Sequence, residues 1–180
     1  MTKPEIETLA SKVVYQNRWM TVREDQIRRQ DGSPGIYGVV EKSDFAVIAA
    51  VQDGLIYLVE QYRYPVGMRR WELPQGTWDC GNNEPLELAR TELREETGLT
   101  AGCIRHIAKL HEAYGYSTQS FDLFFATQLI QGEADLEPEE QGLITQAFPI
   151  YAVENMLCDG RITDAVTVAS FGLLRLKRLL

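Results

Sequence analysis

Thr91-Glu92-Leu93-Arg94-Glu95-Glu96-Thr97-Gly98-Leu99 is the stretch on which the reading of this chain turns. At 3.6 residues per turn, Glu92, Glu95 and Glu96 fall within an arc of about 100°. Arg90 and Arg94 point to the opposite side, and Leu86, Ala89 and Leu93 form an adjoining apolar ridge. Three carboxylates on one helix face, with no cation at the positions that would pair with them, repel one another. A divalent ion relieves that repulsion, and magnesium favours a few carboxylates together with phosphate oxygens and water. On its own, Glu-x-x-Glu-Glu is more often a solvated acidic face, so its surroundings decide.

Upstream stands Trp71-Glu72-Leu73-Pro74-Gln75-Gly76, a strand ending in a Pro-x-Gly turn whose Gly76 lets the backbone come close to a ligand or metal. The acidic helix is expected over Glu84 to Thr97, with Pro85 in its first turn and Gly98 as a left-handed cap. Further out, strands are expected over Lys12 to Tyr15, Trp19 to Arg29 and Ile36 to Val40, with a turn at Asp31 to Gly35. Phe45 to Val51 and Leu55 to Gln61 are apolar runs joined by Asp53-Gly54, a hairpin signal. A Tyr-, Arg- and Pro-rich loop follows over Gln61 to Gly67. Cys103 to Glu112, Ser120 to Gln128 and Gly142 to Pro149 read as strands, Tyr151 to Asp159 and Asp164 to Leu179 as helices. Asp164 near the start of the last helix and Lys177-Arg178 near its end match the helix dipole. These elements predict an α+β fold: a mixed, largely antiparallel sheet flanked by helices, preceded by a small amino-terminal β unit.

A chain of 180 residues is long enough for one well-buried domain, removing about 70 % of the unfolded surface from water. Its hydrophobic share of 44 % and charged share of 24 % are those of an ordinary globular protein. The polar start, Met1 to Glu7, has no apolar core for a secretory signal. No apolar run approaches the roughly 20 residues that span a bilayer. Cys80, Cys103 and Cys158 are widely spaced and form no metal-like pair, as free thiols in a reducing compartment do. A cytoplasmic protein with no membrane association is therefore expected. The net charge of −8 argues against nonspecific nucleic-acid binding, which needs a basic stripe.

Strand, glycine turn, loop and acidic helix together resemble the Nudix family of hydrolases. Its box runs Gly, five residues, Glu, seven residues, then Arg-Glu-aliphatic-x-Glu-Glu-x-Gly-aliphatic, and Glu92-Leu93-x-Glu95-Glu96-x-Gly98-Leu99 matches its last part from the second position onward. The stretch from Gly76 to Gly98 is one residue longer than the family spacing. The family's loop Glu falls on Asn82 or Asn83 and its Arg on Thr91, so both halves of a loop-bracing ion pair are absent. Gln61-Tyr62-Arg63-Tyr64-Pro65 and Gly160-Arg161-Ile162-Thr163-Asp164-Ala165-Val166-Thr167 are similar to features of the ADP-ribose and nucleotide-sugar pyrophosphatase branch.

The resemblance implies an α/β/α sandwich, with residues 1–42 as an amino-terminal unit for dimerisation and base binding and 43–180 as the catalytic domain. It implies magnesium, with manganese as a substitute, held by Glu92, Glu95, Glu96 and the backbone carbonyl of Gln75, with Gly76 beside the substrate. It gives Arg63 to the substrate phosphates, a role its planar fork suits, against a surface Arg stacked on Tyr62 or Tyr64. Trp19 is a candidate to stack on a nucleobase, set against a place in the core. The general base is expected in the acidic loop Leu136 to Gln141, at Glu139 or Glu140, with Glu95 as the alternative. The implied activity is cleavage of ADP-ribose or a related nucleoside diphosphate sugar to mononucleotide and sugar phosphate, by a homodimer. Two rivals share the same helix: a hydrolase of nucleoside triphosphates or dinucleoside polyphosphates, suggested by Tyr114, and a catalytically silent nucleotide sensor, suggested by Thr91.

Overall fold

The computed structural model describes residues 4–77, 84–136 and 140–180; Cys80, Asn82, Asn83 and Glu139 lie outside them. The chain divides into two units, one taking residues up to Asp44 together with His111–Ser120, the other Phe45–Leu110 with Phe121–Leu180.

The first unit is built on β1 (Ile6–Gln16), β2 (Thr21–Arg29) and β3 (Pro34–Glu41), antiparallel and in that order. β1 is longer than the run from Lys12 to Tyr15, because its pairing with β2 continues from Gln16↔Thr21 to Ile6↔Arg29. Trp19 is not on a strand. The Asn17 carboxamide oxygen accepts from the backbone N–H groups of Trp19 at 2.9 Å and Met20 at 2.8 Å, and this Asx turn delays β2 to Thr21.

The second unit is a mixed sheet between helices. Its strands are β4 (Phe45–Gln52), β5 (Leu55–Arg63), β6 (Met68–Glu72), β7 (Gln75–Gly76), β8 (Leu99–His111), β9 (Ser120–Gln131) and β10 (Ile144–Pro149). The order is β10-β5-β4-β9-β8, with β6 also paired to β5 and β7 to β4. β4 runs parallel to β9, from Phe45↔Phe121 to Ala50↔Ala126, and antiparallel to β5 and β7. The Asp53-Gly54 hairpin is present: both residues have positive φ, 52° and 75°, between the pair Gln52↔Leu55. The expected loop from Gln61 is shorter, since Gln61, Tyr62 and Arg63 pair with Arg70, Arg69 and Met68 across β5 and β6.

β4 is buried on both faces, which explains its continuous apolar run. Ala46, Ile48 and Ala50 pack with Leu88, Ala89 and Leu93 of helix α1 (Pro85–Thr97). Val47 and Ala49 face a cluster containing Val153 and Met156 of α2 (Ile150–Cys158) and Val166, Phe171 and Leu174 of α3 (Ala165–Leu176). This is the α/β/α arrangement. The Asp-Ala-x-Thr stretch has a structural role here. Asp164 caps α3 by accepting from the Thr167 N–H at 2.8 Å, and the Thr167 hydroxyl oxygen accepts from the Leu73 N–H at 3.0 Å. Among the described residues no helix is long and apolar enough to cross a membrane.

α1 starts on Pro85 and ends on Gly98, whose φ of 72° is left-handed and whose N–H donates to the Arg94 carbonyl at 2.8 Å. A Cβ on Gly98 would stand 2.6 Å from the Gly132 carbonyl oxygen. Gly98→Ala therefore combines left-handed strain with a backbone clash, and a loss of about 2 kcal/mol or more is expected from the urea unfolding midpoint.

Candidate metal centre

Helical periodicity places Glu92 and Glu96 one turn apart, and packing then buries both: Glu92 is 8 % exposed and Glu96 1 %. The acidic face is thus an interior one, a depth that periodicity alone does not reveal. Glu96 Oε2 accepts from the Gln75 N–H at 3.0 Å, while its Oε1 is buried with no hydrogen-bond partner among the described residues. The Glu92 carboxylate lies against Gly76, where a Cβ would come within 2.3 Å of its Cδ. A side chain at 76 would therefore displace the Glu92 carboxylate, and the Pro74 carbonyl, bound by the Ile48 N–H at 2.9 Å, fixes the turn to β4.

Glu140, ahead of β10, completes the group: one carboxylate oxygen from each of Glu92, Glu96 and Glu140 lies within 4.8 Å of the others. Glu95 is outside that group; its partly exposed side chain sits 3.4 Å from the Arg94 guanidinium. The side chain of Gln75 adds another buried oxygen, Oε1, with no partner among the described residues. Burial, and then the charges of Glu92 and Glu140, push the Glu96 carboxyl well above the usual carboxylate range, with the Gln75 N–H pulling the other way. Converging oxygen donors, one of them sealed and unbonded, fit a hard divalent cation.

Beside this group lies a carboxylate that the sequence reading quoted without assigning. Glu72 is 2 % exposed and held by Gln61 Nε2 at 3.0 Å, Arg63 Nε at 3.2 Å and Arg63 Nη2. Its position between Trp71 and Leu73, in an otherwise apolar strand end, was the available signal. Burial raises the Glu72 carboxyl above its ordinary value and the Arg63 charge lowers it again. Two arms of the Arg63 guanidinium thus bind a buried carboxylate, a partner distinct from both phosphate and the neighbouring tyrosines. Trp19, in the other unit, is 59 % exposed with the Arg18 guanidinium 5.6 Å from its ring, and so is not a core residue.

Comparison with known proteins converges on one family. A model of the NUDIX domain matches residues 42–163, and a model of the nucleoside diphosphate sugar hydrolase N-terminal domain matches residues 6–40. An ADP-ribose pyrophosphatase of Mycobacterium tuberculosis (strain ATCC 25618 / H37Rv) is 32 % identical over 171 residues, covering 94 % of this chain and 83 % of that protein. An ADP-ribose pyrophosphatase of Bacillus subtilis (strain 168) is 26 % identical over 182 residues, covering 100 % of this chain and 98 % of that protein. In fold, the crystal structure of an ADP compounds hydrolase matches with a TM-score of 0.85 at 22 % identity, over 97 % of this chain and 95 % of that one.

Two outcomes follow from the buried acids. Arg63→Ala leaves Glu72 without its cation and is expected to cost about 2 kcal/mol, a figure below that of a fully buried pair because Arg63 is partly exposed. Adding Glu72→Gln should recover most of that loss in a double-mutant cycle on chemical unfolding. In EDTA, the raised Glu96 carboxyl binds its proton more tightly folded than unfolded, so its burial costs nothing in acid and progressively more as pH climbs above the unfolded value. Glu96→Gln removes that loss, so its melting temperature should gain on the wild type between acid and neutral pH; parallel melting curves would contradict this.

Proposed function

Because the chain belongs to the Nudix family, we propose that it hydrolyses the pyrophosphate bond of ADP-ribose or a closely related nucleoside diphosphate sugar. The products are a mononucleotide and a sugar phosphate, and magnesium serves at the acidic centre, with manganese as a substitute. The observation that carries this reading is the convergence of Glu92, Glu96 and Glu140 within 4.8 Å, with Glu96 Oε1 buried and unbonded. The names of the relatives, ADP-ribose pyrophosphatases, support the substrate class.

A pyrophosphate resists water until its charge is met and the attacking oxygen is held in line. Bound divalent cation supplies that neutralisation and orients the water. Glu92, Glu95 and Glu96 would hold it as carboxylate ligands, and the Gln75 N–H takes Oε2 of Glu96, which leaves Oε1 for the ion. The Gln75 carbonyl is a further ligand on this reading. Gly76, lacking a side chain, leaves room for the Glu92 carboxylate and for the substrate phosphates. Glu140 is assigned as the base that takes the proton of the attacking water, being the loop acid that reaches the pair. Glu139, the other loop candidate, lies outside the described residues; Glu95 remains the alternative base. Arg63, anchored on Glu72, presents its remaining donors to phosphate.

Residues 1–42 are assigned to pairing with a second copy and to base binding, and 43–180 to catalysis. Every residue of β1 is exposed, including Ile6, Leu9, Val13 and Tyr15, and an edge strand of that length invites a partner. Trp19, exposed in the turn ahead of β2, is the residue assigned to stack on the base. A homodimer in the cytoplasm is the assembly that follows.

Incubation of the protein with ADP-ribose and magnesium, with products separated by chromatography, is expected to yield AMP and ribose 5-phosphate. Release of pyrophosphate from nucleoside triphosphates at a higher kcat/KM would replace the reading with its triphosphate rival; binding without turnover would replace it with a sensor. Glu92→Gln should lower kcat by roughly a hundred-fold or more, in line with loss of a metal ligand at a reacting phosphate, with the fold intact by circular dichroism.

A further inference from the structure

Glu140 comes to the α1 carboxylates from a different part of the chain, so something must hold its segment in register with the helix. Three bonds do so on either side of it. Before it, the Asp135 N–H donates to the Glu95 carbonyl at 3.0 Å. After it, the Thr145 hydroxyl donates to the Glu96 carbonyl at 2.8 Å. Between Glu140 and Thr145, Arg69 Nη2 donates to the Gly142 carbonyl at 2.7 Å. Gly142 stands in a left-handed turn, φ 85°, closed by the Leu143 N–H on the Glu140 carbonyl at 2.9 Å.

Arg69 reads at first as half of a surface ion pair, since its Nε also donates to Glu60 Oε2 at 2.9 Å. Such pairs contribute little to stability. The same Nη2, however, reaches the Glu60 carbonyl at 2.8 Å as well as Gly142, so the planar fork joins β5, its own strand β6 and the Glu140 turn. Thr145 uses its hydroxyl on the main-chain carbonyl of Glu96 itself, and Arg69 its guanidinium on that of Gly142, two residues after Glu140.

We propose that Thr145 and Arg69 are positioning residues that set the distance between Glu140 and the Glu92–Glu96 pair, and through it the affinity of the centre for a divalent cation. This rests on reading Glu92 and Glu96 as ligands of a divalent cation, with the Glu140 carboxylate close enough for its charge to add to the affinity. Thr145 acts on Glu96 through its own carbonyl, at the end of α1 where that carbonyl has no helical partner. Arg69 acts on Glu140 through the turn two residues on.

The test is binding of manganese alone to the purified full chain, followed by loss of the free-ion electron paramagnetic resonance signal. Thr145→Val and Arg69→Ala should each weaken binding about ten-fold, whereas Thr145→Ser, which keeps the hydroxyl, and Glu60→Gln, which spares the Gly142 bond, should stay within about two-fold of wild type. On ADP-ribose the two weakened variants should lose kcat with KM little changed. Glu96→Gln serves as the reference for the site. If Glu96→Gln abolishes binding while Thr145→Val and Arg69→Ala bind as wild type and merely melt lower, the tether inference falls and the cation site stands. If Glu96→Gln binds manganese like the wild type, the cation reading falls and takes the tethers with it.

Discussion

The constraint on which this structure depends is a carboxylate placed where water does not reach. Glu96 is 1 % exposed with one oxygen unbonded, and Glu92 and Glu140 crowd it with like charge. A protein tolerates such a group only if it is protonated or if a cation meets it. Much of the neighbouring chain serves that arrangement. Gly76 has no side chain because the Glu92 carboxylate fills the space, and the Gln75 N–H binds Glu96 because β7 is held against β4. The strand end at Leu73 is in turn fixed from the far face of the sheet by the Thr167 hydroxyl.

The second acid, Glu72, shows the opposite solution. It is as deeply buried, but a guanidinium and a carboxamide satisfy it from within the chain. Side by side, one buried carboxylate is satisfied from within the chain and the other keeps an oxygen that no described residue bonds. The contrast explains why the unbonded oxygen is informative, since the same fold had the means to cover it. Family membership and the pyrophosphatase relatives agree with a site of this kind.

Local chemistry made the acidic helix legible. Pro85, Gly98 and the spacing of Leu86, Ala89 and Leu93 act within a few residues, and the structure places α1 within a residue of expectation, with Leu88 buried more deeply than Leu86. The Asp53-Gly54 hairpin was legible for the same reason. Features set by distant partners were not. β6 exists because β5 pairs with it, and the full length of β1 depends on β2. Trp19 looked like a strand residue because apolar alternation continues into it, whereas the Asn17 side chain captures the backbone there. Periodicity aligned Glu92, Glu95 and Glu96 but gave neither the depth of Glu92 and Glu96 nor the approach of Glu140, which comes from a turn ahead of β10, far along the chain.

The parallel pairing of β4 with β9 has a kinetic meaning. Phe45 meets Phe121 only after the whole of the intervening chain has been gathered, and parallel ladders of that span carry a high loop-closure cost before any contact rewards it. The hairpin of β4 and β5 can form early and alone, but the central seam of the sheet belongs to a late, cooperative step. The acids of α1 precede β9 in sequence and Glu140 follows it, so their convergence depends on the docking of that strand. The like-charge crowding is therefore imposed only as folding completes, and an ion that binds it recognises the finished molecule and none of its precursors.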